Sequence, residues 1–123
     1  MKVFKHLDSL EKDQGLYPVY VNTQTGELVP SRITLGALGD SFYEYMVKLW
    51  VFTNKQADGY RRMWEESSRG VMNKLVQTSK SGYRYMAQTT DAGTRIEYKM
   101  EHLVRSFLTF FSFFMMLTFQ HKW

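Results

Sequence analysis

The densest set of structural signals in this chain of 123 residues lies in the stretch Thr34-Leu35-Gly36-Ala37-Leu38-Gly39-Asp40-Ser41-Phe42-Tyr43-Glu44-Tyr45. Its glycines let the backbone approach closely, and the apolar residues around and after them recur at spacings of three and four. These apolar positions are Leu38, Phe42, Tyr45, Met46 and Leu49. Ser41, with Glu44 three residues later, forms a capping-box pattern. The stretch therefore predicts a close-packed loop that opens into an amphipathic helix.

The rest of the chain predicts further helices separated by short hairpins. Apolar residues at helical spacing predict helices over 1–12, over 55–76 and from about Met100 onward. Turn residues between alternating segments predict one hairpin over 16–29 and a second that pairs 83–88 with 94–98. The fold class is therefore mainly α with short β-hairpins. A hairpin followed by a helix occurs twice, which is typical of an α-solenoid or toroid.

The composition excludes several classes of protein. Hydrophobic residues make up 44% of the chain and charged residues 23%, as in an ordinary globular domain, and the length suits a single domain. The absence of cysteine excludes a disulfide scaffold, a zinc ribbon and thiol catalysis. The net charge of +4 permits an acidic partner, but basic and acidic residues alternate along the third helix, as on a solvated face. No nucleic-acid partner is therefore expected.

The end of the chain differs from the rest in composition. Six of the nine phenylalanines lie after position 105, and Ser106 to Phe119 carries no charge. A bilayer-spanning helix needs about 20 apolar residues, so this stretch is short for one. An alternative function follows from it, namely a non-enzymatic helical module that binds a membrane or a hydrophobic partner through the Phe-rich tail.

Carboxylates and histidines are the main candidates for chemistry, because the sequence has no phosphate-binding glycine loop and no histidines at metal-ligand spacing. Asp40 has two interpretations. Either Asp40 or Ser41 caps the helix, which the spacing alone favours, or Asp40 faces a cavity as a carboxylate that the helix dipole keeps ionised. Such a carboxylate accepts a proton from water. His102 is either a structural group, the commoner case, or part of a site.

Aromatic and basic residues alternate in the second predicted hairpin. They are Tyr83, Arg84, Tyr85, Arg95, Tyr98 and Lys99. The tyrosines either stack on sugar rings or bases, or form cross-strand pairs within the hairpin. The pattern by itself favours the cross-strand pairs.

Three segments, in order along the chain, resemble the class I α-1,2-mannosidases of glycoside hydrolase family 47. They are Gly15–Asn22 followed by Thr25-Gly26, Thr34–Tyr45 followed by Lys48 and Trp50, and Lys99–Val104. The middle segment is long and distinctive. The resemblance ends at Val104, where the Phe-rich composition begins, so we expect a partial catalytic domain over 1–104 and a divergent tail over 105–123 outside the family fold.

The resemblance implies that this chain is an internal fragment of an (α/α)7 barrel. It implies an inverting, calcium-dependent exo-α-1,2-mannosidase that trims mannose from high-mannose N-glycans. Asp40 matches the position of the general base, and His102 matches an active-site histidine near the same floor. Leu38 and Glu44 are the expected substrate-binding residues, and a leucine at position 38 is typical of Golgi enzymes, where endoplasmic-reticulum enzymes carry arginine.

The same resemblance places the remaining machinery outside this segment. The general-acid glutamate lies upstream of it in the family, and further active-site carboxylates and the calcium-binding threonine lie downstream. The N-terminal membrane anchor of the family has no counterpart here, and no targeting signal is expected from Met1–His6. We therefore expect no metal site in this chain and no mannose release by the chain alone. The resemblance implies the lumenal side of the Golgi membrane as the location, with the endoplasmic-reticulum membrane as the alternative.

Overall fold

A computed structural model describes residues 2–119, apart from the side chains at 92, 106, 107, 110, 114, 115 and 117–119. Its helices are α1 (Lys2–Ser9), α2 (Asp40–Phe52), α3 (Asp58–Gly70) and α4 (Val104–Phe119). Its strands are β1 (Tyr20–Val21), β2 (Leu28–Val29), β3 (Val76–Thr78), β4 (Arg84–Met86), β5 (Gln88–Thr90) and β6 (Arg95–Glu97). A π-helical turn, Val71–Leu75, follows α3, and a 3-10 turn, Asp91–Gly93, joins β5 to β6. The chain is helical with short antiparallel hairpins, as the sequence predicts.

The core lies where α2, α3 and α4 meet. α2 packs along α3, and α4 lies across both of them. The core side chains of α2 are Tyr43, Met46, Val47 and Trp50, and the apolar ones of α3 are Tyr60, Met63 and Trp64. α1 adds to one edge through Phe4, whose ring stacks on that of Phe42 with centroids 5.4 Å apart. These contacts fix the position of the first turn of α2.

The predicted apolar stripe of α2 is wrong at two positions. Leu38 is 64% exposed and Tyr45 is 54% exposed, whereas Tyr43 and Val47 are buried. The reason is that Leu38 precedes the helix, in a left-handed backbone conformation with φ 75°. The buried face of α2 is therefore turned toward Tyr43 and Val47.

The predicted capping box is also wrong. Gly39, not Ser41, is the N-cap residue of α2, and it has no side chain to cap the helix. The amides of Gly39 and Asp40 donate to the carbonyl of Gly36, each at 3.0 Å. The preceding loop therefore satisfies these two amides, and the Asp40 carboxylate satisfies the next one, that of Ser41.

The third predicted helix is confirmed over most of its length, because α3 continues at Gly70 into the π-helical turn, which ends at Leu75. Gly70 lies against the N-terminal loop, where an added Cβ would overlap the carbonyl oxygen of Gln14 and contact the side chain of Leu16. Gly70 therefore allows a close approach of two backbone segments. The final helix starts later than predicted, at Val104.

The first hairpin is confirmed, although its strands have only two residues each and pair Tyr20 with Val29 and Val21 with Leu28. The second predicted hairpin is correct in part. β6 lies within the predicted strand 94–98 and pairs across the turn at 91–93 with β5, where Gln88 lies opposite Glu97. β4 pairs instead with β3, a strand that begins at the last residue of the predicted third helix. The run 83–88 is thus divided between two hairpins.

The predicted cross-strand tyrosine pairs do not form. Tyr85 lies opposite Gln77, and Tyr83 and Tyr98 lie outside the strands and are exposed.

α4 contributes to the core at its buried positions, Val104 and Phe111. The ring of Phe111 lies 5.4 Å from that of Trp64 between centroids. Within residues 2–119, no helix has both the length and the apolar character that crossing a bilayer requires.

Candidate functional site

The loop before α2, residues 34–39, is held by short local hydrogen bonds. The amide of Gly36 donates to the hydroxyl of Thr34 at 2.9 Å, and the amide of Gly39 donates back to Gly36. An added Cβ at Gly39 would overlap the carbonyl oxygen of Thr34, so only glycine fits there. This compact turn delivers Asp40 directly to the start of α2.

Asp40 is half-buried at the first position of α2. Its Oδ1 accepts a hydrogen bond from the amide of Ser41 at 2.9 Å. The backbone amides at a helix N-terminus carry partial positive charge, which stabilises an ionised carboxylate. This bond satisfies one of the first amides of α2, as a capping carboxylate does, so the geometry suits Asp40 both as a helix-end group and as a candidate base.

Leu38 lies two residues before Asp40 and points its apolar side chain toward solvent at the edge of a small cavity. The cavity holds about 120 Å³ between the loop and the first hairpin. Its other lining residues include Tyr17, Pro18, Val21, Leu28 and Phe42. The loop therefore places Leu38 and Gly39 on the wall of this cavity, whereas Asp40, the next residue, is not among its lining residues.

Glu44 follows Asp40 by one helical turn, so the two side chains lie on the same side of α2. Glu44 forms an ion pair with Lys48, with Oε1 and Nζ 2.5 Å apart. This hydrogen bond to Glu44 raises the pKa of Lys48. The predicted substrate-binding glutamate is thus already paired within its own helix.

His102 is exposed in the turn that precedes α4. Its neighbour Glu101 makes the contacts that connect this turn to the loop before α2. Glu101 Oε2 accepts a hydrogen bond from the amide of Ala37 at 2.8 Å, and Oε1 lies 3.5 Å from Nη1 of Arg32. The structure therefore joins the segment of His102 to the segment of Asp40 through Glu101.

Sequence reasoning missed Glu101 as a site residue. The only signal in the sequence is a carboxylate next to His102 in a segment that resembles the family. Its partners Ala37 and Arg32 lie more than 60 positions earlier in the chain.

Two buried tyrosines, Tyr17 and Tyr43, stabilise the elements that carry the site. The hydroxyl of Tyr43 accepts a hydrogen bond from the amide of Tyr17 at 3.0 Å, which ties the first hairpin to α2. Burial raises the pKa of both Tyr17 and Tyr43. Both side chains therefore stay neutral at physiological pH and act as packing and hydrogen-bonding groups.

A divalent cation would need several oxygen ligands gathered at one point. Among the residues that the structure describes, no three His, Asp or Glu side chains come close enough together to hold a metal ion.

Comparison with known proteins identifies the family. The model of glycosyl hydrolase family 47 matches residues 1–120. The chain is 37% identical over 103 residues to mannosyl-oligosaccharide 1,2-alpha-mannosidase IA of Sus scrofa, and 41% identical over 105 residues to mannosyl-oligosaccharide 1,2-alpha-mannosidase of Candida albicans. These matches cover 84% of this chain in both cases, but only 15% and 19% of the two relatives.

The fold agrees with this assignment. The structure is similar to part of an alpha-1,2-mannosidase from Trichoderma reesei, with a TM-score of 0.71 and 20% sequence identity. The similarity covers 81% of this chain and 21% of that one. Because the family model matches nearly every residue, the chain belongs to glycosyl hydrolase family 47.

Proposed function

We propose that this chain is the part of an inverting exo-α-1,2-mannosidase that supplies the general base for releasing mannose from high-mannose N-glycans. The observation that carries the proposal is the position of Asp40, a half-buried carboxylate at the first position of α2, which follows a loop with glycines at its close contacts. The relatives named as mannosyl-oligosaccharide 1,2-alpha-mannosidases support the choice of substrate.

The proposed role of Asp40 is to take one proton from a water molecule. In an inverting glycosidase, the water oxygen then attacks the anomeric carbon, and the glycosidic C–O bond breaks as a general acid protonates the leaving oxygen. The two carboxyl groups stand roughly 6.5–9.5 Å apart to leave room for the water. Asp40 Oδ1 is oriented by the amide of Ser41, and Oδ2 accepts no hydrogen bond from the described residues. We therefore assign Oδ2 as the oxygen that accepts the proton from water.

The other predicted residues have supporting roles in this proposal. Leu38 and Glu44 flank Asp40 on the loop and on α2, where a sugar bound next to Asp40 would contact them. His102 is connected to the same loop through its neighbour Glu101. We expect the general-acid glutamate and the calcium-binding threonine elsewhere in the full-length protein, so no step is assigned to calcium here.

We propose that the helices of this chain are part of an (α/α)7 barrel, which the similarity to a solved α-1,2-mannosidase supports. Leu38 supports the Golgi type, and with it a lumenal enzyme held by a membrane anchor. The separate origin of 105–123 stays a prediction, and the match of the family model to residue 120 counts against it.

A chimeric enzyme tests the role of Asp40. Residues 2–104 of this chain replace the aligned segment of the Sus scrofa enzyme, and mannose release from a high-mannose N-glycan is measured. We expect the chimera to be active and Asp40→Asn to lower kcat by roughly 10²–10⁴-fold, the usual contribution of a general base.

Asp58→Asn is the matched control, because Asp58 also begins a helix and lies in its first turn. This variant should keep the activity of the chimera. An active Asp40→Asn chimera would show that Asp40 is not the base.

A further inference from the structure

Glu101 connects the start of α4 to two residues, Arg32 and Ala37, that lie more than 60 positions earlier in the chain. Its carboxylate accepts a hydrogen bond from Ala37 in the loop before α2 and pairs with Arg32 at the end of the first hairpin. Its own backbone carbonyl accepts the amide of Val104 at the start of α4. The carboxylate is largely buried, with 19% of the side chain exposed. Because this carboxylate is mostly removed from solvent, its hydrogen bond to the Ala37 amide holds the loop in place.

The peptide group between Gly36 and Ala37 links Glu101 to Asp40, because it forms a hydrogen bond with each of them. On one side of this planar group, the N–H of Ala37 donates to Glu101 Oε2. On the other side, the carbonyl of Gly36 accepts the amide of Asp40 at 3.0 Å. Because a peptide group is rigid, fixing its N–H also fixes the direction of its carbonyl. Glu101 therefore acts on Asp40 through one rigid unit.

The Glu101 carboxylate packs tightly against the Gly36–Ala37 peptide group. An added Cβ at Gly36 would overlap Glu101 Oε2 and lie 2.8 Å from Cδ of the same side chain. The glycine at position 36 is thus required by the side chain at position 101. Such a close fit leaves the loop little freedom to turn Asp40 away from its observed position.

We propose that Glu101 is a positioning residue that sets the orientation of the Asp40 carboxylate through the Gly36–Ala37 peptide group. This inference rests on the proposed role of Asp40 as general base. It gives Glu101 no proton-transfer role, since its carboxylate is occupied by Ala37 and Arg32.

The test uses amide NMR spectra of the full chain, with two reporters. The Ala37 amide reports the contact with Glu101, and the Ser41 amide reports the Asp40 carboxylate, from which it receives its hydrogen bond. We expect Glu101→Ala to shift both amide resonances. Glu101→Gln keeps an oxygen acceptor of the same length, so it should restore both resonances nearly to their wild-type positions.

Glu65→Ala is the matched control. Glu65 is similarly buried, with 12% of its side chain exposed, and it pairs with Arg61 at 3.0 Å on α3. This variant should leave both reporters unchanged. A Ser41 resonance that stays in place in Glu101→Ala would overturn the proposal, because Glu101 would then support the loop without orienting Asp40. So would a Glu101→Gln spectrum that matches Glu101→Ala.

The same substitutions in the chimera separate this proposal from the proposed function. Glu101→Ala should lower kcat by about tenfold or more with little change in KM, and Glu101→Gln should recover most of the loss. An active Asp40→Asn chimera refutes the role of Asp40 as base, whereas the NMR result judges the contact between Glu101 and Asp40 independently.

Discussion

The amide of Tyr17 donates a hydrogen bond to the buried hydroxyl of Tyr43, 3.0 Å away. The two residues belong to different elements, the segment leading into the first hairpin and α2, so this bond fixes the hairpin against the helix that begins with Asp40. The edge-to-face contact between their rings, with centroids 6.4 Å apart, adds to the same junction. The cavity beside Leu38 is lined by both tyrosines and depends on this arrangement.

Replacing Tyr43 with phenylalanine should destabilise the chain. The change removes one hydroxyl and leaves the buried amide of Tyr17 without its acceptor, which typically costs about 1–3 kcal/mol. Urea unfolding measures the loss. Tyr45→Phe is the control, because Tyr45 is on the same helix but exposed. Loss of the Tyr45 hydroxyl should lower the free energy of unfolding by less than about 0.5 kcal/mol. Equal losses in the two variants would contradict the structural role of the Tyr17–Tyr43 bond.

Stability should fall at alkaline pH because of the same pair. Burial raises the pKa of Tyr43 above the value near 10 that a tyrosine has in the unfolded chain. Above pH 10 the unfolded state loses this proton while the folded state keeps it, so the unfolded state binds fewer protons and the free energy of unfolding decreases as pH rises. The slope is about 1.4 kcal/mol per pH unit for a fully displaced group.

Urea unfolding at a series of pH values from 8 to 11 measures this decrease. Tyr43→Phe should show a shallower decrease than the wild type, because it lacks this titrating group. An equally steep decrease in Tyr43→Phe would assign the effect to other residues.

The elements that the sequence predicted well are those set by local pattern. Apolar residues at helical spacing, including Met63 and Trp64, predict α3, and the glycines of 34–39 predict a tight loop before α2. The failures come from contacts across the chain. α3 changes to a π-helical turn where Gly70 meets the backbone of Gln14, and the alternating run 83–88 is compatible with either neighbouring strand.

The candidate site shows the same division. Asp40 and His102 came from a resemblance carried by local motifs, whereas Glu101 acts through Ala37, 64 positions away. No periodicity or spacing in the sequence encodes such a contact. The sequence indicates only that Gly36 allows a close approach of the backbone. The structure shows that the group packed against Gly36 is the Glu101 carboxylate.

Two glycines of α3 should respond to alanine in opposite directions. Gly59 has open space around its Cβ position, so Gly59→Ala should stabilise the helix by about 0.5–1 kcal/mol. Gly70→Ala should destabilise the chain by about 1–3 kcal/mol, because the methyl group would overlap the carbonyl of Gln14. Thermal unfolding of both variants measures the difference. Stabilisation by Gly70→Ala would mean that helix propensity alone governs this position.

The chain by itself should release no mannose from a high-mannose N-glycan. The proposal assigns to it the base but not the acid, and an inverting mechanism needs both groups. The measurement is mannose release with and without added Ca²⁺, using the Asp40→Asn chain as the blank. Calcium-dependent release that Asp40→Asn abolishes would show that the described residues contain a complete site.

Removing the ring of Phe111 tests whether α4 belongs to the folded core. Phe111 is 6% exposed and packs on Trp64, so Phe111→Ala should destabilise the chain by about 3–5 kcal/mol. Phe113, two positions later, is 59% exposed, and Phe113→Ala should cost much less. Urea unfolding compares the two variants. If α4 is instead a separate tail that binds membranes or apolar partners, both variants should unfold like the wild type, and both should weaken co-sedimentation of the chain with liposomes.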